Sequence, residues 1–281
     1  MRTPAPRNPR MNSADSVQRS TGLLTVDGLS YAYTDAVRGA QTAALKNISF
    51  SVARGEFVSI LGPSGCGKST LLAAVSGLLS DFDGTISIKD DVITSPHPDV
   101  GVVFQEDTTF PWRTVRKNVE FGLEVRGVSK GDRSDKAHEI LSLFGLNGFE
   151  DSYPNQLSGG MRQRVAIART MVLEPDLLLM DEPFGALDEQ TRLVMGDELL
   201  RVQQSLQQTV LFITHNIQES VMLSDRVIVL GSRPGCVKDM IDVDLARPRD
   251  SSLIARPEFA TVVGRIWSVL KDEAMHGFDQ R

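Results

Sequence analysis

The amino-acid sequence predicts an α/β fold with a parallel β-sheet at its centre, an antiparallel β-subdomain before it and a helical subdomain inserted within it. The apolar run Phe57–Leu61 leads straight into a glycine-rich loop and then into apolar residues at helical spacing, which is the unit that builds a parallel sheet. Residues 177–180 and 210–213 are uninterrupted apolar runs, typical of strands covered on both faces. Between residues 105 and 159 the pattern changes to helical periodicity.

Length and composition limit the class of protein. The 281 residues, 41% of them hydrophobic, suffice for one large α/β domain with smaller lobes. A formal net charge of -6 argues against a general nucleic-acid binder, which usually carries a basic surface, so no nucleic-acid partner is expected. The two cysteines, Cys66 and Cys236, are too few for a disulfide framework or a four-ligand zinc site and favour a reducing compartment.

The amino terminus and the hydropathy bear on the relation to membranes. Residues 1–22 are polar and lack the apolar core of a secretory signal; we expect a disordered tail, and translation could begin at Met1 or at Met11. No apolar run approaches the roughly 20 residues that cross a bilayer. A role at a membrane therefore requires a membrane-embedded partner.

Short strands are predicted on both sides of the glycine-rich loop. Residues 24–26 and 48–52 alternate apolar and polar side chains, which predicts antiparallel strands. Asp83-Gly84 predicts a turn, and residues 100–104 predict one more strand before the helical segment.

Two helices stand out by their apolar faces. Residues 135–144 carry apolar side chains on one face and are followed by Gly145, a typical C-cap. Residues 257–271 carry an apolar stripe and predict a last helix.

The glycine-rich loop fits the pattern G-x-x-x-x-G-K-[ST] between a strand and a helix, a context in which a chance match is uncommon. Glycines allow backbone N–H groups to converge on phosphate oxygens, aided by the amino terminus of the next helix. Lys68 supplies a cation to the β- and γ-phosphates, and the Ser69 hydroxyl is placed to ligate Mg²⁺. Cys66 within the loop predicts sensitivity to thiol reagents. The predicted Mg-ATP site comprises Gly62, Pro63, Ser64, Gly65, Cys66, Gly67, Lys68, Ser69 and Thr70.

Two adjacent carboxylates end the buried run at 177–180. A carboxylate at the carboxyl end of a parallel strand lies at the ligand crevice, where Asp181 is expected to hold Mg²⁺. Strand alternation predicts that the Glu182 side chain points the other way, toward a water beyond the γ-phosphate. Adjacent acids alone could be ordinary strand-end carboxylates, but the phosphate-binding loop upstream favours Glu182 as general base.

A second glycine motif opens a helix that runs to about Val172; it reads Leu157-Ser158-Gly159-Gly160-Met161-Arg162-Gln163-Arg164. It resembles the signature motif of ATP-binding-cassette (ABC) ATPases, although that family more often has glutamine at the place of Met161. The resemblance extends from about residue 24 to residue 230. It implies a P-loop NTPase cassette with a mixed sheet core, an antiparallel β-subdomain and an inserted helical subdomain. It also implies that Ser158, Gly159 and Gly160 bind the γ-phosphate of ATP held by another subunit, as a hydroxyl, two amides and a helix amino terminus can.

Further positions match the same family. Gln105 resembles the glutamine that senses Mg²⁺ and links the core to the helical subdomain. Leu187-Asp188 resembles the loop that lies across the dimer seam. His215 resembles the histidine that contacts the γ-phosphate and the attacking water; a lone histidine after a strand is more often an ordinary surface residue, but the order of the motifs favours function. Tyr33 resembles the aromatic residue that stacks on adenine, with Tyr31 as a near competitor.

The resemblance implies a homodimer that closes head-to-tail around two ATP molecules. The expected catalytic residues are Glu182, His215, Gln105 and Lys68. The expected ligands of Mg²⁺ are Ser69, Gln105 and Asp181, while Tyr33 and Asp188 complete the nucleotide contacts. The ATP-binding domain is expected over residues 23–255, with its helical subdomain at about 106–165, and a carboxyl-terminal helix and tail over residues 256–281.

Within the family, residues 108–115 resemble the permease-contacting region of nitrate, sulfonate and taurine importer ATPases, as do residues 223–227, 232–235 and 242–250. Exposed apolar side chains in a loop often mark a contact, although Phe110 and Trp112 could equally fold back into the helical subdomain. The resemblance implies two integral-membrane permease subunits contacted near Phe110 and Trp112, and an extracytoplasmic solute-binding protein. It places the chain peripherally on the cytoplasmic face of the inner membrane. Aliphatic sulfonate or taurine is the first expectation for the solute.

Other functions remain open at this point. A soluble ABC ATPase of translation or DNA repair resembles two fused cassettes or carries zinc or coiled-coil insertions, whereas this chain has one cassette and two cysteines. A P-loop kinase has no use for the signature helix. The ATPase of a separate-subunit exporter is a further alternative. No regulatory domain is expected after the last helix, since few residues follow it.

Overall fold

The computed structural model describes residues 22–34, 40–106 and 108–279. Residues 1–21, which make up nearly all of the predicted tail, lie outside this part. Its strands are β1 (Leu24–Thr34), β2 (Gln41–Val52), β3 (Phe57–Leu61), β4 (Asp83–Ile88), β5 (Asp91–Val92), β6 (Val100–Val103), β7 (Leu177–Asp181), β8 (Thr209–Thr214), β9 (Arg226–Leu230) and β10 (Val237–Asp242). Its α-helices are α1 (Lys68–Val75), α2 (Val115–Val125), α3 (Lys130–Leu143), α4 (Gly159–Met171), α5 (Glu189–Leu206), α6 (Ile217–Leu223) and α7 (Pro257–Asp279).

The central sheet has six strands in the order β10-β9-β3-β8-β7-β6. Neighbouring strands run parallel from β9 to β6, and β10 pairs antiparallel with β9. The predicted mixed core is confirmed. Because β3 and β7 point the same way, the glycine-rich loop after β3 and the carboxylates at the end of β7 emerge on the same edge of the sheet.

A second sheet has the order β2-β1-β4-β5 and is antiparallel throughout. The predicted short strands are the ends of two longer ones, because the pairing continues past irregularities in β1. The turn predicted at Asp83-Gly84 is wrong: these residues begin β4. Gly84 has a positive φ of 94° and lies against the irregular stretch of β1 between Asp27 and Ser30, so the glycine serves a bulge rather than a chain reversal.

Alternation along the central strands divides the protein into two cores. In β3, Phe57 and Leu61 face a core shared with helices α2 to α7, whereas Val58 and Ile60 face a core shared with α1 and the antiparallel sheet. The strands β7 and β8 alternate in the same way. Burial on both faces explains why these strands read as continuous apolar runs.

A helical layer of α2, α3 and α4 packs against the β6 side of the sheet. Helix α3 begins earlier than predicted, capped by Ser129, which accepts a hydrogen bond from the amide of Asp132 at 3.3 Å. The first turn of α3 is polar, so it lacks the apolar periodicity from which the start of a helix is predicted. Helix α7 continues beyond the predicted end at 271. Among the described residues, none of the helices is both long and apolar enough to cross a membrane. The domain boundaries proposed above remain predictions.

Candidate active site

A cavity of about 400 Å³ lies at the carboxyl end of β3. The loop after β3 and the start of α1 form one side, and the end of β1 and the start of β2 form another. Its lining residues are Tyr33, Thr42, Ala43, Ala44, Ser64, Gly65, Gly67, Lys68, Ser69, Thr70, Glu182 and Arg233. The cavity therefore joins the predicted phosphate-binding loop, the predicted general base and the predicted adenine-stacking tyrosine.

Backbone geometry explains the glycines of the loop. Gly65 and Gly67 have φ angles of 75° and 94°, a region that side chains rarely adopt. A Cβ at Gly67 would also lie 2.6 Å from the Leu45 side chain and 2.8 Å from the Ala44 carbonyl oxygen. Helix α1 follows Gly67 with no side-chain cap, so the amides of its first turn are left for an anion.

Lys68 is a buried cation folded onto its own loop. Its Nζ donates hydrogen bonds to the carbonyl oxygens of Gly62 at 2.9 Å and Pro63 at 3.2 Å, and it lies 4.0 Å from Glu182 Oε1. The side chain is only 7% exposed. An ammonium group that donates to neutral carbonyls is well suited to donate to the charged oxygens of a polyphosphate instead.

Asp181 and Glu182 both face the start of α1. Asp181 accepts a hydrogen bond from the Ser69 hydroxyl; burial, and next the charge of Glu182, raise the pKa of Asp181 in spite of that bond. Glu182 follows the last residue of β7 with a positive φ of 41°, outside the extended region on which the predicted alternation rests. Its Oε1 is the atom near Lys68, and its Oε2 lies 2.8 Å from His215 Nδ1.

The segment around His215 is held in place by Glu219, which was not predicted from the sequence. His215 is 57% exposed, but Thr214 before it donates a hydrogen bond to the buried carboxyl of Glu219, whose pKa burial raises. Asn216 caps α6 by accepting from the Glu219 amide at 3.1 Å. The spacing Asn216-x-x-Glu219 is that of a capping motif, which is the signal that could have pointed to Glu219.

Of the predicted nucleotide contacts, Tyr33 lines the cavity and Gln105 does not. Tyr33 lines the cavity, is half-exposed and has its hydroxyl 3.0 Å from that of Thr70. Tyr31 packs edge-on against it at 4.9 Å and joins the core, so the geometry favours Tyr33 over Tyr31. Gln105 follows β6, is exposed and lies beside Gly185, where an added Cβ would come 3.6 Å from its Nε2. It is not among the lining residues.

The second glycine motif lies away from the cavity. Ser158 caps α4, accepting from the amide of Met161 at 3.3 Å, and Ser158 and Gly159 are exposed. A Cβ at Gly160 would lie 3.0 Å from the Thr191 side chain, in the first turn of α5. Asp188 caps that helix, and its hydrogen bonds from the hydroxyl and amide of Thr191 lower its pKa. None of Ser158, Gly159, Gly160 and Asp188 lines the cavity of their own chain.

Cys66 differs from expectation. Its side chain is buried against Gly62, and burial raises the pKa of its thiol. Both effects lower the reactivity of a cysteine. They argue against the predicted sensitivity of the loop to thiol reagents.

Phe110 and Trp112 differ in burial. Phe110 folds back, with its ring 4.8 Å from Phe121 and 5.6 Å from Trp112. Trp112 is 72% exposed. The fully buried Asn118 fixes the loop: its Oδ1 accepts from the Phe110 amide at 2.7 Å and its Nδ2 donates to the carbonyls of Phe110 and Arg113. Asn118 was not predicted to have this role.

Comparisons with known proteins agree with this arrangement. A family model described as ABC transporter matches residues 45–185, half of the chain. The nitrate import ATP-binding protein of Synechocystis is 46% identical over 81% of this chain and 88% of that protein. The aliphatic sulfonates import ATP-binding protein of Bacillus cereus is 41% identical over 82% of this chain and 89% of that protein. A solved dimeric ATP-binding cassette, in a post-hydrolysis state bound to ADP and phosphate, matches with a TM-score of 0.68 at 31% identity, over 79% of this chain and 100% of that one.

Proposed function

This chain is an ATPase of the ABC transporter family, and from that premise we propose that it is the motor subunit of an importer for small oxyanions of the sulfonate, taurine or nitrate type. The observation that carries the proposal is the buried Lys68 of the phosphate-binding loop beside Glu182, which contacts His215; Lys68 and Glu182 line one cavity.

ATP binding follows from the lining of the cavity. The triphosphate takes the place of the loop carbonyls as partner of Lys68, and the amides at the start of α1 donate hydrogen bonds to its oxygens. Tyr33, from the end of β1, lines the same cavity and offers an aromatic ring for the adenine. Ser64 and Thr70 also line the cavity.

The residues present also fit Mg²⁺. The Ser69 hydroxyl and the Asp181 carboxylate are already in contact, and hard oxygen ligands are those that Mg²⁺ prefers. A carboxylate whose pKa is raised by burial gains from a nearby cation. Gln105 would add an amide oxygen. When bound, Mg²⁺ neutralises charge on the β- and γ-phosphates.

Hydrolysis requires a base and a stabilised transition state. Glu182 accepts the proton of the attacking water, and the hydrogen bond to His215 Nδ1 holds its carboxylate in place. Lys68 and His215 stabilise the charge that develops on the transferred phosphoryl group.

The site is completed by a second copy of the chain. Ser158 and Gly159 are exposed at the amino terminus of α4, with the buried Gly160 next to them, an arrangement suited to an anion. All three lie outside the cavity of their own chain. In a head-to-tail homodimer they would meet the γ-phosphate of the partner's ATP, with Asp188 at the seam. The dimeric state of the solved relative supports this arrangement.

Coupling to transport is proposed at the exposed Trp112, supported from below by Phe110. Two integral-membrane permease subunits would dock here, with a solute-binding protein on the outer side. The chain then lies peripherally on the cytoplasmic face of the inner membrane. The import functions named for the relatives from Synechocystis and Bacillus cereus support the direction and the class of solute.

The test is purification of the tagged chain in mild detergent, with mass spectrometry of what accompanies it and a phosphate-release assay. We expect ATP hydrolysis, a polytopic permease and a solute-binding protein that binds sulfonates, taurine or nitrate in titration. Hydrolysis with ribosomal or DNA-repair partners instead of a permease would refute the importer role. Absence of hydrolysis in the intact complex would refute the proposal as a whole.

A further inference from the structure

The loop after β9, residues 232–235 (the strap), lies over the phosphate-binding loop and has no part in the function proposed above. The Gly235 amide donates to the Ala44 carbonyl at 2.8 Å, and the Lys46 amide donates to the Gly235 carbonyl at 2.8 Å. A Cβ at Gly235 would lie 2.0 Å from the carbonyl oxygen of Cys66. Only glycine allows so close an approach, so the strap is seated directly on the loop.

Arg233 brings a second cation to the cavity. Its Nε donates to the Gly65 carbonyl oxygen at 3.2 Å, and its side chain lines the same cavity as Tyr33 and Lys68. Within the described part of the chain, no carboxylate forms an ion pair with this exposed guanidinium. Since an arginine has five N–H donors, most of its donors remain for a ligand.

The carboxyl-terminal helix α7 holds the strap in position. Glu273 of this helix is buried and accepts hydrogen bonds from the Ser232 amide at 3.1 Å and from Lys238 Nζ at 2.8 Å. Burial raises the pKa of Glu273, but its hydrogen bonds from Lys238 and Ser232 outweigh that effect and leave the pKa below its usual value. Glu273 is therefore an ionised anchor for Ser232, the residue that precedes Arg233.

We propose that Arg233 is a further nucleotide-binding residue, which contacts the phosphates of bound ATP through its guanidinium and is positioned by α7 through Glu273 and Ser232. A polyphosphate in this cavity meets Lys68 from within the loop and Arg233 from above Gly65, and arginine suits the multiple oxygens of a phosphate. This inference rests on the proposed ATP site at residues 62–70.

The experiment measures the affinity of the full-length chain for Mg-ATP by fluorescence titration with a labelled, non-hydrolysable analogue. Arg233→Ala should weaken binding about tenfold, and the loss should shrink as ionic strength rises. Arg233→Lys should recover part of the affinity. Lys46→Ala is the matched control: it removes a cation next to the strap but outside the cavity lining, and binding should change less than about twofold.

A purely structural brace predicts something else. In that case Arg233→Ala would lower the melting temperature of the nucleotide-free protein, and the loss of affinity for Mg-ATP would not depend on salt. Either these two results together or an unchanged affinity would overturn the proposal.

The role of Glu273 is tested by a double-mutant cycle. Glu273→Gln should weaken Mg-ATP binding when Arg233 is present and have little effect in the Arg233→Ala chain. Equal effects in both backgrounds would overturn the positioning role.

The same titration separates this inference from the proposed function. If the wild-type chain bound no nucleotide, the proposed function would be refuted. If Arg233→Ala bound Mg-ATP as tightly as the wild-type chain, only the role of Arg233 would be refuted.

Discussion

The proposed catalytic chemistry depends on contacts between three side chains. Glu182 lies next to Lys68 on one side and His215 on the other. The types and order of these residues were predictable from the sequence, because the loop pattern and the strand-end carboxylates fix them to one edge of the sheet. The turn of Glu182 toward Lys68 was not, since it depends on a positive φ that no local pattern indicates. The buried partners Glu219 and Asn118 were also missed, although both bond to residues nearby in the sequence, Thr214 and Phe110. The capping motif could have pointed to Glu219, whereas the burial of Asn118 depends on how the loop before α2 folds.

Replacement of Lys68 tests the cation. Lys68→Ala should lower the rate of ATP hydrolysis by at least about 100-fold, because Lys68 is the only cationic residue of the loop at residues 62–70. A phosphate-release assay measures this, and thermal unfolding of the nucleotide-free chain checks that the fold is kept. A Lys68→Ala protein with a normal melting temperature and near-normal turnover would contradict the assignment.

Glu182→Gln tests the base, since the amide keeps the shape and loses the proton acceptor. We expect hydrolysis to fall by about 10²- to 10³-fold while Mg-ATP still binds, leaving the protein in the closed dimer. Size-exclusion chromatography with and without Mg-ATP shows the dimer, and phosphate release gives the rate. Near-normal hydrolysis removes Glu182 from this role.

The two thiols should differ in reactivity. Cys66 is buried with a raised pKa, whereas Cys236 is partly exposed, so N-ethylmaleimide should modify Cys236 first and leave ATP hydrolysis nearly intact. Because the raised pKa keeps Cys66 protonated at neutral pH, its labelling should increase only as the pH rises. Mass spectrometry of the native protein measures both. Equal labelling of the two thiols at pH 7 would go against the burial argument.

At the scale of elements, the loop before α2 is built to present one side chain. Asn118 ties its backbone down from the first turns of α2, Phe110 packs beneath it, and Trp112 is left at the surface. The sequence did not decide whether the Phe110 and Trp112 rings are buried or exposed, since an aromatic pair beside a proline is compatible with both. Helical periodicity was informative for the strongly apolar elements and weak where a first turn is polar, as in α3.

Trp112→Ser should uncouple transport from hydrolysis. The change removes the exposed ring but leaves the cavity and Asn118 in place, so basal ATP hydrolysis should stay within about twofold while solute uptake in cells falls strongly. Trp267→Ser is the control, because Trp267 is 58% exposed on α7, away from this loop. Uptake that survives Trp112→Ser, or falls equally with Trp267→Ser, would refute Trp112 as the permease contact.

At the scale of the whole molecule, the fold keeps apart the phosphate-binding loop and the start of α4, which we propose as the two halves of one catalytic site. The mixed sheet and the antiparallel sheet hold the phosphate-binding loop, while the helical layer carries Ser158 at the exposed start of α4. The mixed sheet, antiparallel subdomain and helical insertion were predictable because β-strand runs, alternation and the motif order all agreed. The bulge at Gly84 and the strap over the loop were not, because both are contacts between segments distant in sequence.

Hydrolysis between two copies is the central claim, and mixing two inactive variants tests it most directly. Lys68→Ala lacks the loop cation, and Ser158→Phe blocks the signature; each should be inactive alone. In an equimolar mixture, a head-to-tail dimer of one of each contains one site with both parts intact. We predict that phosphate release returns in the mixture, with up to about a quarter of all sites functional. A mixture as inactive as its components, although both variants fold and dimerise, would contradict a site shared between chains.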